Sequence, residues 1–343
     1  MTVNTDAIAA QAALHYQYFL GLQLMVAVEE SRDTVYQWMF RLFRRQHEEK
    51  FLSSFQKLGL ADEPHAVACA KYHVLSNGVG GVAVEYMEES DTKAWVRFRY
   101  PRWMYAGPAI CGIPVEASRG FLNGWYAQNG VSLKNPRLGF VCVSEDVTGQ
   151  FGLCGYFKEY DHDLADDERL QFAPDEPVPG YDAAAQPAPP DSEWNEERLA
   201  KANRNYAVEY IRNGMIALTS VLGAERTQEL AQKAARLTGL QHYPLMAEAI
   251  GAVDGGPEDA AQFLSSMMAG MGDECAVETN ADGSMTITQS GLRVIRGLDA
   301  DAAQLLLTTW IELWKGAVHS HRAFMDVRCE VGTGQLTWTI SPR

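Results

Sequence analysis

Residues 100–126 read YPRWMYAGPAICGIPVEASRGFLNGWY, and the side chains best suited to chemistry are concentrated there. Tyr105, Glu116 and Arg119 stand among Trp103, Cys111, Trp125 and Tyr126. A phenol donates a hydrogen bond and can carry a proton, and a carboxyl can act as acid or base, so Tyr105 and Glu116 are candidate catalytic groups. The Arg119 guanidinium offers a planar fork for a carboxylate or another anion, and Trp103, Cys111, Trp125 and Tyr126 would surround an aromatic or heterocyclic substrate. His73, just before the turn SNGVGG, is a candidate general base. Each residue also has a structural reading. Glu116 and Arg119 are three apart and suit a helical ion pair, Cys111 suits a small buried hydrophobe, Trp125 a core position and His73 a satisfied core imidazole.

The remaining motifs exclude more than they assign. His319 and His321 flank Ser320, which on a strand would put two imidazoles on one side, yet neither a third ligand nor HExxH accompanies them. No metal and no cofactor is therefore expected. NGVGG at 77–81 lies between a helix and a strand, the reverse of a dinucleotide fingerprint, and Walker A, GxSxG and kinase motifs are absent.

The prolines and aromatic residues of 100–126 do not make one regular element, which implies a structured loop or lid. The elements that must hold it are regular. Over 31–59, Val35, Trp38, Met39, Leu42, Phe43, Phe51, Leu52, Phe55 and Leu58 recur at spacings of three and four, predicting a long amphipathic helix stopped by Gly59. A second helix is expected over 64–76. GVAVEYM and KAWVRFRY read as strands about the turn EESDT, and LGFVCVSE and GQFGLCGYF as another pair about DVTG. The acidic, proline-rich stretch 163–197 reads as a linker unable to bury a core. Past it, 199–222, 225–237, 244–252 and 257–271 are helical by pattern. A hairpin turning at Asp282-Gly283, the helix AAQLLLTTWIELWKGAV and a last hairpin AFMDVRCEVGTGQLTWTI complete the chain.

The order of elements after the linker repeats the order before it. Shifting the chain by 185 residues lays Leu122 on Leu307, Trp125 on Trp310, Arg137 on Arg322, Glu145 on Glu330, and Thr148-Gly149-Gln150 on Thr333-Gly334-Gln335. The expected fold class is α+β, a tandem duplication of a unit in which amphipathic helices pack on an antiparallel sheet. Its parts are residues 1–162 with the lid at 100–126, the linker 163–197, and residues 198–343. A pocket is expected between the two repeats.

With 343 residues, each half is large enough for its own core, and a net charge of −15 argues against nucleic acid or an anionic membrane as partner. The first thirty residues lack a basic n-region and are interrupted by His15, Gln17 and Gln23, so neither a signal peptide nor a membrane span is expected. Six scattered cysteines without a CxxC point to reduced thiols and the cytoplasm. The helix over 8–28 is more apolar than a surface helix needs, which suggests a homodimer contact or packing across the repeats.

The C-terminal half resembles the family of L-2-amino-thiazoline-4-carboxylic acid hydrolases and the related vinyl-reductase-like small-molecule-binding domains. YIRNGMIALTSVLGAERTQELAQKAAR, GMGDECAVE and FMDVRCEVGTGQLTWTI, within 207–340, carry the resemblance. It implies their helix-and-sheet fold. Members often have a Cys and an acidic residue after the second helix, where this chain reads WIELWKGAVHSHRAF without a cysteine, so the hydrolytic residues are not carried over.

These readings converge on a metal-independent enzyme of the hydrolase or lyase type, acting by acid/base catalysis on a small aromatic or heterocyclic substrate. One alternative is a carbon–carbon lyase releasing a fragment such as formaldehyde from a lignin-type aromatic. Another is a non-catalytic binding or sensor protein.

Overall fold

The structure, a computed structural model, describes residues 5–100, 102–188, 195–253 and 255–343, apart from the side chain of Trp103. Three helices open the chain, α1 (Thr5–Glu29), α2 (Arg32–Lys57) and α3 (His65–Val79), followed by the hairpin β1 (Val84–Ser90) and β2 (Lys93–Phe98). Short 3-10 turns lead to α4 (Val115–Phe121), a π-helical turn at Leu122–Tyr126 and α5 (Asn129–Ser132), then β3 (Leu138–Ser144), β4 (Cys154–Glu159) and β5 (Leu170–Phe172). Helices α6 (Glu196–Leu222), α7 (Ala224–Ala249) and α8 (Pro257–Met271) precede β6 (Glu274–Thr279) and β7 (Met285–Ser290). Helix α9 (Ala300–His319), β8 (Met325–Gly332) and β9 (Gln335–Pro342) end the chain. The class is α+β, as expected. No helix among the described residues is long and apolar enough to cross a membrane.

Packing divides the chain into an N-terminal unit, Val26–Asn195, and a C-terminal unit made of Met1–Met25 with Glu196–Arg343. The expected boundary kept the first helix with the first half, whereas most of α1 belongs to the C-terminal unit. The reason lies in its composition. Apolar on every face, α1 needs cover all round, and Leu14, Tyr18, Phe19 and Leu22 are buried there together with Gln11, His15 and Gln23. Trp310 Nε1 donates to His15 Nε2 at 2.9 Å, and His15 Nδ1 lies 2.7 Å from Gln11 O. The apolar surplus that suggested a dimer contact is thus covered within this unit.

In the N-terminal unit the sheet order is β1-β2-β4-β3-β5, with β5 parallel to β3 and the other pairs antiparallel. One face, with Phe140 and Phe157, lies against α3. The other face carries Met87, Trp95, Val141 and Tyr156, with Ala173 and Val178 packed on it. Part of the expected linker is therefore structure. It supplies β5, Glu176 takes hydrogen bonds from Lys93 Nζ and Tyr156 Oη at 2.7 Å each, and the Gln186 amide pairs with both backbone groups of Tyr86 on the edge strand. Cover on both faces explains why β3 is buried at every position.

The C-terminal sheet has order β6-β7-β9-β8, all antiparallel. Only one face is buried there, so β7 and β9 alternate, with Met285, Ile287, Gln289, Leu336, Trp338 and Ile340 inside. The repeated Thr-Gly-Gln has a backbone cause. Gly149 and Gly334 sit at φ 81° and 72°, a region other residues rarely adopt.

Candidate functional site

The lid is not an irregular loop but two 3-10 turns, Trp103–Tyr105 and Gly107–Cys111, running into α4 and the π-helical turn. Glycine lets this segment lie directly on α2. A Cβ on Gly120 would fall 2.5 Å from Tyr36 O, and one on Gly124 2.6 Å from Phe40 O. The widened turn then rotates Tyr126 into the core, a local distortion that recurs at functional sites.

Beneath the lid lies a buried charge pair. Arg102 Nη1 donates to Asp146 Oδ2, and both side chains are within a few per cent of full burial. Aromatic faces surround the guanidinium, with Phe98 at 4.3 Å, Tyr105 at 5.3 Å and Phe121 at 6.0 Å from its carbon. Tyr100 Oη donates to Asp146 O at 2.6 Å. Burial pushes the Asp146 carboxyl up against the opposing pull of Arg102, and pushes the Tyr105 phenol up as well. The Asp146 carboxyl also accepts from the Leu153 backbone N–H, whereas Tyr126 Oη is buried here without a hydrogen-bond partner. Ser118 lies beside the Tyr105 phenol, and the field of Arg102 and Asp146 reaches Tyr126.

The Tyr126 ring joins this zone to a second one. It stacks on His73 at 3.9 Å and on Phe157 at 5.5 Å. His73 Nε2 accepts from Asn129 Nδ2 at 3.0 Å, and burial, with His47 adding, holds its pKa well below the ordinary value. His47 pairs with Ser132 Oγ at 2.9 Å and is lowered to about 3, again chiefly by burial. Trp125 meets His47 edge-on at 5.4 Å, and its buried Nε1 has no partner.

The structure thus brings together Tyr105, Tyr126, His73 and Trp125 and separates the others. Glu116 and Arg119 do not pair with each other. Arg119 forms a two-pronged bond to Glu145 at 2.9 and 3.0 Å, and Glu116 faces Arg32 of α2 at 3.9 Å. The helix start aims the two side chains at different neighbours, so the expected acid/base and anchor pair is not assembled. Cys111 is exposed rather than buried. The Trp103 side chain lies outside the described residues. His319 and His321 sit at the end of α9 and in the turn beyond it, not on a strand. His319 meets Arg236 at 2.8 Å and His321 meets Asp259 at 3.1 Å. No group of three or more His, Cys, Asp or Glu side chains is placed to hold a metal ion among the described residues.

Sequence reasoning passed over Arg102, Asp146 and Ser118. A charged residue inside FRYPRWMY was the available signal, because an arginine among aromatic residues invites cation–π packing. Among the described residues, two open cavities lie elsewhere. One of about 600 Å³ is lined by His65, Asn135 and Glu159, with Asn135 Nδ2 3.0 Å from both His65 Nδ1 and Glu159 Oε2. The other, about 330 Å³ and mainly apolar, is lined by residues of α6 and α9. No protein-family model matches this sequence, and no curated protein matches it either.

Proposed function

We propose that the N-terminal unit is a small-molecule enzyme of the hydrolase or lyase type, acting on an aromatic or heterocyclic substrate beneath the lid. One observation carries this reading. Tyr126 Oη is buried without a partner in the field of the Arg102–Asp146 pair, whose guanidinium sits in an aromatic box. An orphaned buried polar group costs about 1–3 kcal/mol, so this hydroxyl points to a partner that arrives from outside. Arg102 would receive a carboxylate or developing oxyanion, Tyr126 and Ser118 would hydrogen-bond it, and Tyr105, whose phenol stays protonated, would deliver a proton. The expected roles of Glu116, Arg119 and Cys111 are not part of this proposal. His73 is a packing partner of Tyr126 in it, because its imidazole is bonded to Asn129 and stripped of basicity by burial.

The same depression of His47 and His73 favours a second reading, a binding or sensor unit with no reaction, since no histidine under the lid is poised near neutrality. The proposal also takes the two units as divergent copies. Its support is the common strand order, β1-β2-β4-β3 in one and β6-β7-β9-β8 in the other.

Mass spectrometry of the full-length protein incubated with thiazoline carboxylates, cyclic amides and lignin-type phenols tests the enzyme reading. Turnover that Tyr105→Phe lowers by about 10²-fold or more is expected. Binding with no change in ligand mass would support the sensor instead, and turnover unaffected by Tyr105→Phe would remove the lid from the chemistry.

A further inference from the structure

We propose that Arg204, Arg293 and Arg296 of the C-terminal unit form a binding site for a dianionic phosphate group. The site is independent of the lid reading, since every residue in it belongs to the other unit. Arg204 and Arg293 meet beside Gly272, and Arg296 follows three residues on with its field reaching both, which is anomalous in a chain of net charge −15. Arg204 lies on α6, while Arg293 opens the 3-10 turn Arg293–Ile295 after β7 and Arg296 ends it.

Gly272, at φ 96°, ends α8 against them. A Cβ there would fall 2.9 Å from Arg293 Nη2, 3.0 Å from Arg293 Nε and 3.1 Å from Arg204 Nη1. Two guanidiniums therefore meet over bare backbone, in space that only glycine leaves open. Burial and mutual repulsion pull Arg204 and Arg293 below the ordinary arginine value. Among the described residues no carboxylate forms an ion pair with any of the three, and Arg293 Nε is buried without a partner. The contacts from Arg204 Nε and Arg293 Nη1 to Asn205 Oδ1 are long, 3.4 and 3.5 Å.

Asp273 is the carboxyl whose field reaches the cluster, but its oxygens are engaged. Oδ2 accepts from Gln289 Nε2 at 2.7 Å and Oδ1 from the Arg293 backbone N–H at 2.9 Å, while Gln289 Oε1 accepts from Trp338 Nε1 at 3.0 Å. This chain of bonds fixes the loop around Gly272 and leaves the guanidinium edges to an incoming ligand. Three positive charges against one negative match an anion of charge about −2, which is the charge of a phosphate monoester near neutral pH. Guanidinium forks suit its oxygens geometrically.

Calorimetry and thermal denaturation of the full-length protein test the site, with inorganic phosphate and phenyl phosphate as probes at constant ionic strength. Saturable binding and a rise in Tm with either probe are expected. Arg204→Gln, Arg293→Gln and Arg296→Gln should each weaken binding about tenfold or more, and Arg322→Gln, an exposed arginine elsewhere, should not. Tighter phenyl phosphate would assign a phosphorylated small molecule, and equal affinity free phosphate. Arg296 is exposed, so its variant remains a folded test even if the Arg293 variant unfolds. Absence of saturable binding up to about 10 mM, or unchanged affinity in Arg296→Gln together with Arg204→Gln, would overturn the proposal.

Discussion

His15, His47 and His73 are buried as neutral imidazoles, and burial lowers His15 to about 4, His47 to about 3 and His73 well below its usual range. In the unfolded chain each titrates near about 6.5. Their folded values lie below the unfolded one, so the unfolded state binds more protons under acid conditions. The stability they allow is complete above about pH 6.5 and is lost as pH falls, by up to about 1.4 kcal/mol per pH unit for each histidine. Asp146 and Asp273 act in the opposite sense, because burial raises both carboxyls and acid neutralises them. With the histidines dominant, thermal melts between pH 7.5 and 4.5 should show Tm falling from about pH 6.5, and His47→Gln should flatten the slope. A flat Tm from pH 7 to 5 would mean that these rings are not buried as described. At this scale little was legible. Arg102 and Asp146 are far apart in sequence, and nothing local to Asp146 marks it as the partner of a lid arginine.

At the scale of elements the sequence was a better guide, since period and turn chemistry are local. The long helix at 31–59 and the strand pairs about EESDT and DVTG all form. The helices expected over 225–237 and 244–252 are one, α7, which runs through Pro244, and the reading of the linker missed tertiary packing. The 163–197 stretch has the composition of a linker, yet its few apolar residues cover a sheet face and one Gln caps an edge strand. The lid's prolines and glycines looked irregular, yet the glycines serve close helix contact. The pair α7 and α9 uses the same device, for a Cβ on Gly239 would fall 2.0 Å from Leu313 O. Gly239→Ala should therefore destabilise by about 1–3 kcal/mol despite alanine's better helix propensity. Gly78→Ala on α3 meets nothing within 4 Å and should stabilise by up to about 1 kcal/mol. Denaturant midpoints of the two variants moving in the same direction would refute the packing argument.

For the whole molecule, the α+β class followed from element order, whereas the grouping of α1 with the C-terminal elements did not, because burial on all sides specifies that cover is needed but not which elements supply it. The same limit applied to function. Aromatic residues and a phenol drew attention to 100–126, but Tyr126 reaches the core through a π-helical turn that no composition announces. The central claim is that the buried Tyr126 hydroxyl under the lid awaits a ligand rather than holds the fold, and it is tested most directly on Tyr126→Phe, which removes one hydroxyl and no packing. Stability and ligand binding should be measured together on this variant and the native protein. The account predicts a gain of about 1 kcal/mol in stability with loss of ligand binding. A loss of stability with binding unchanged would show that the hydroxyl is structural and would contradict it.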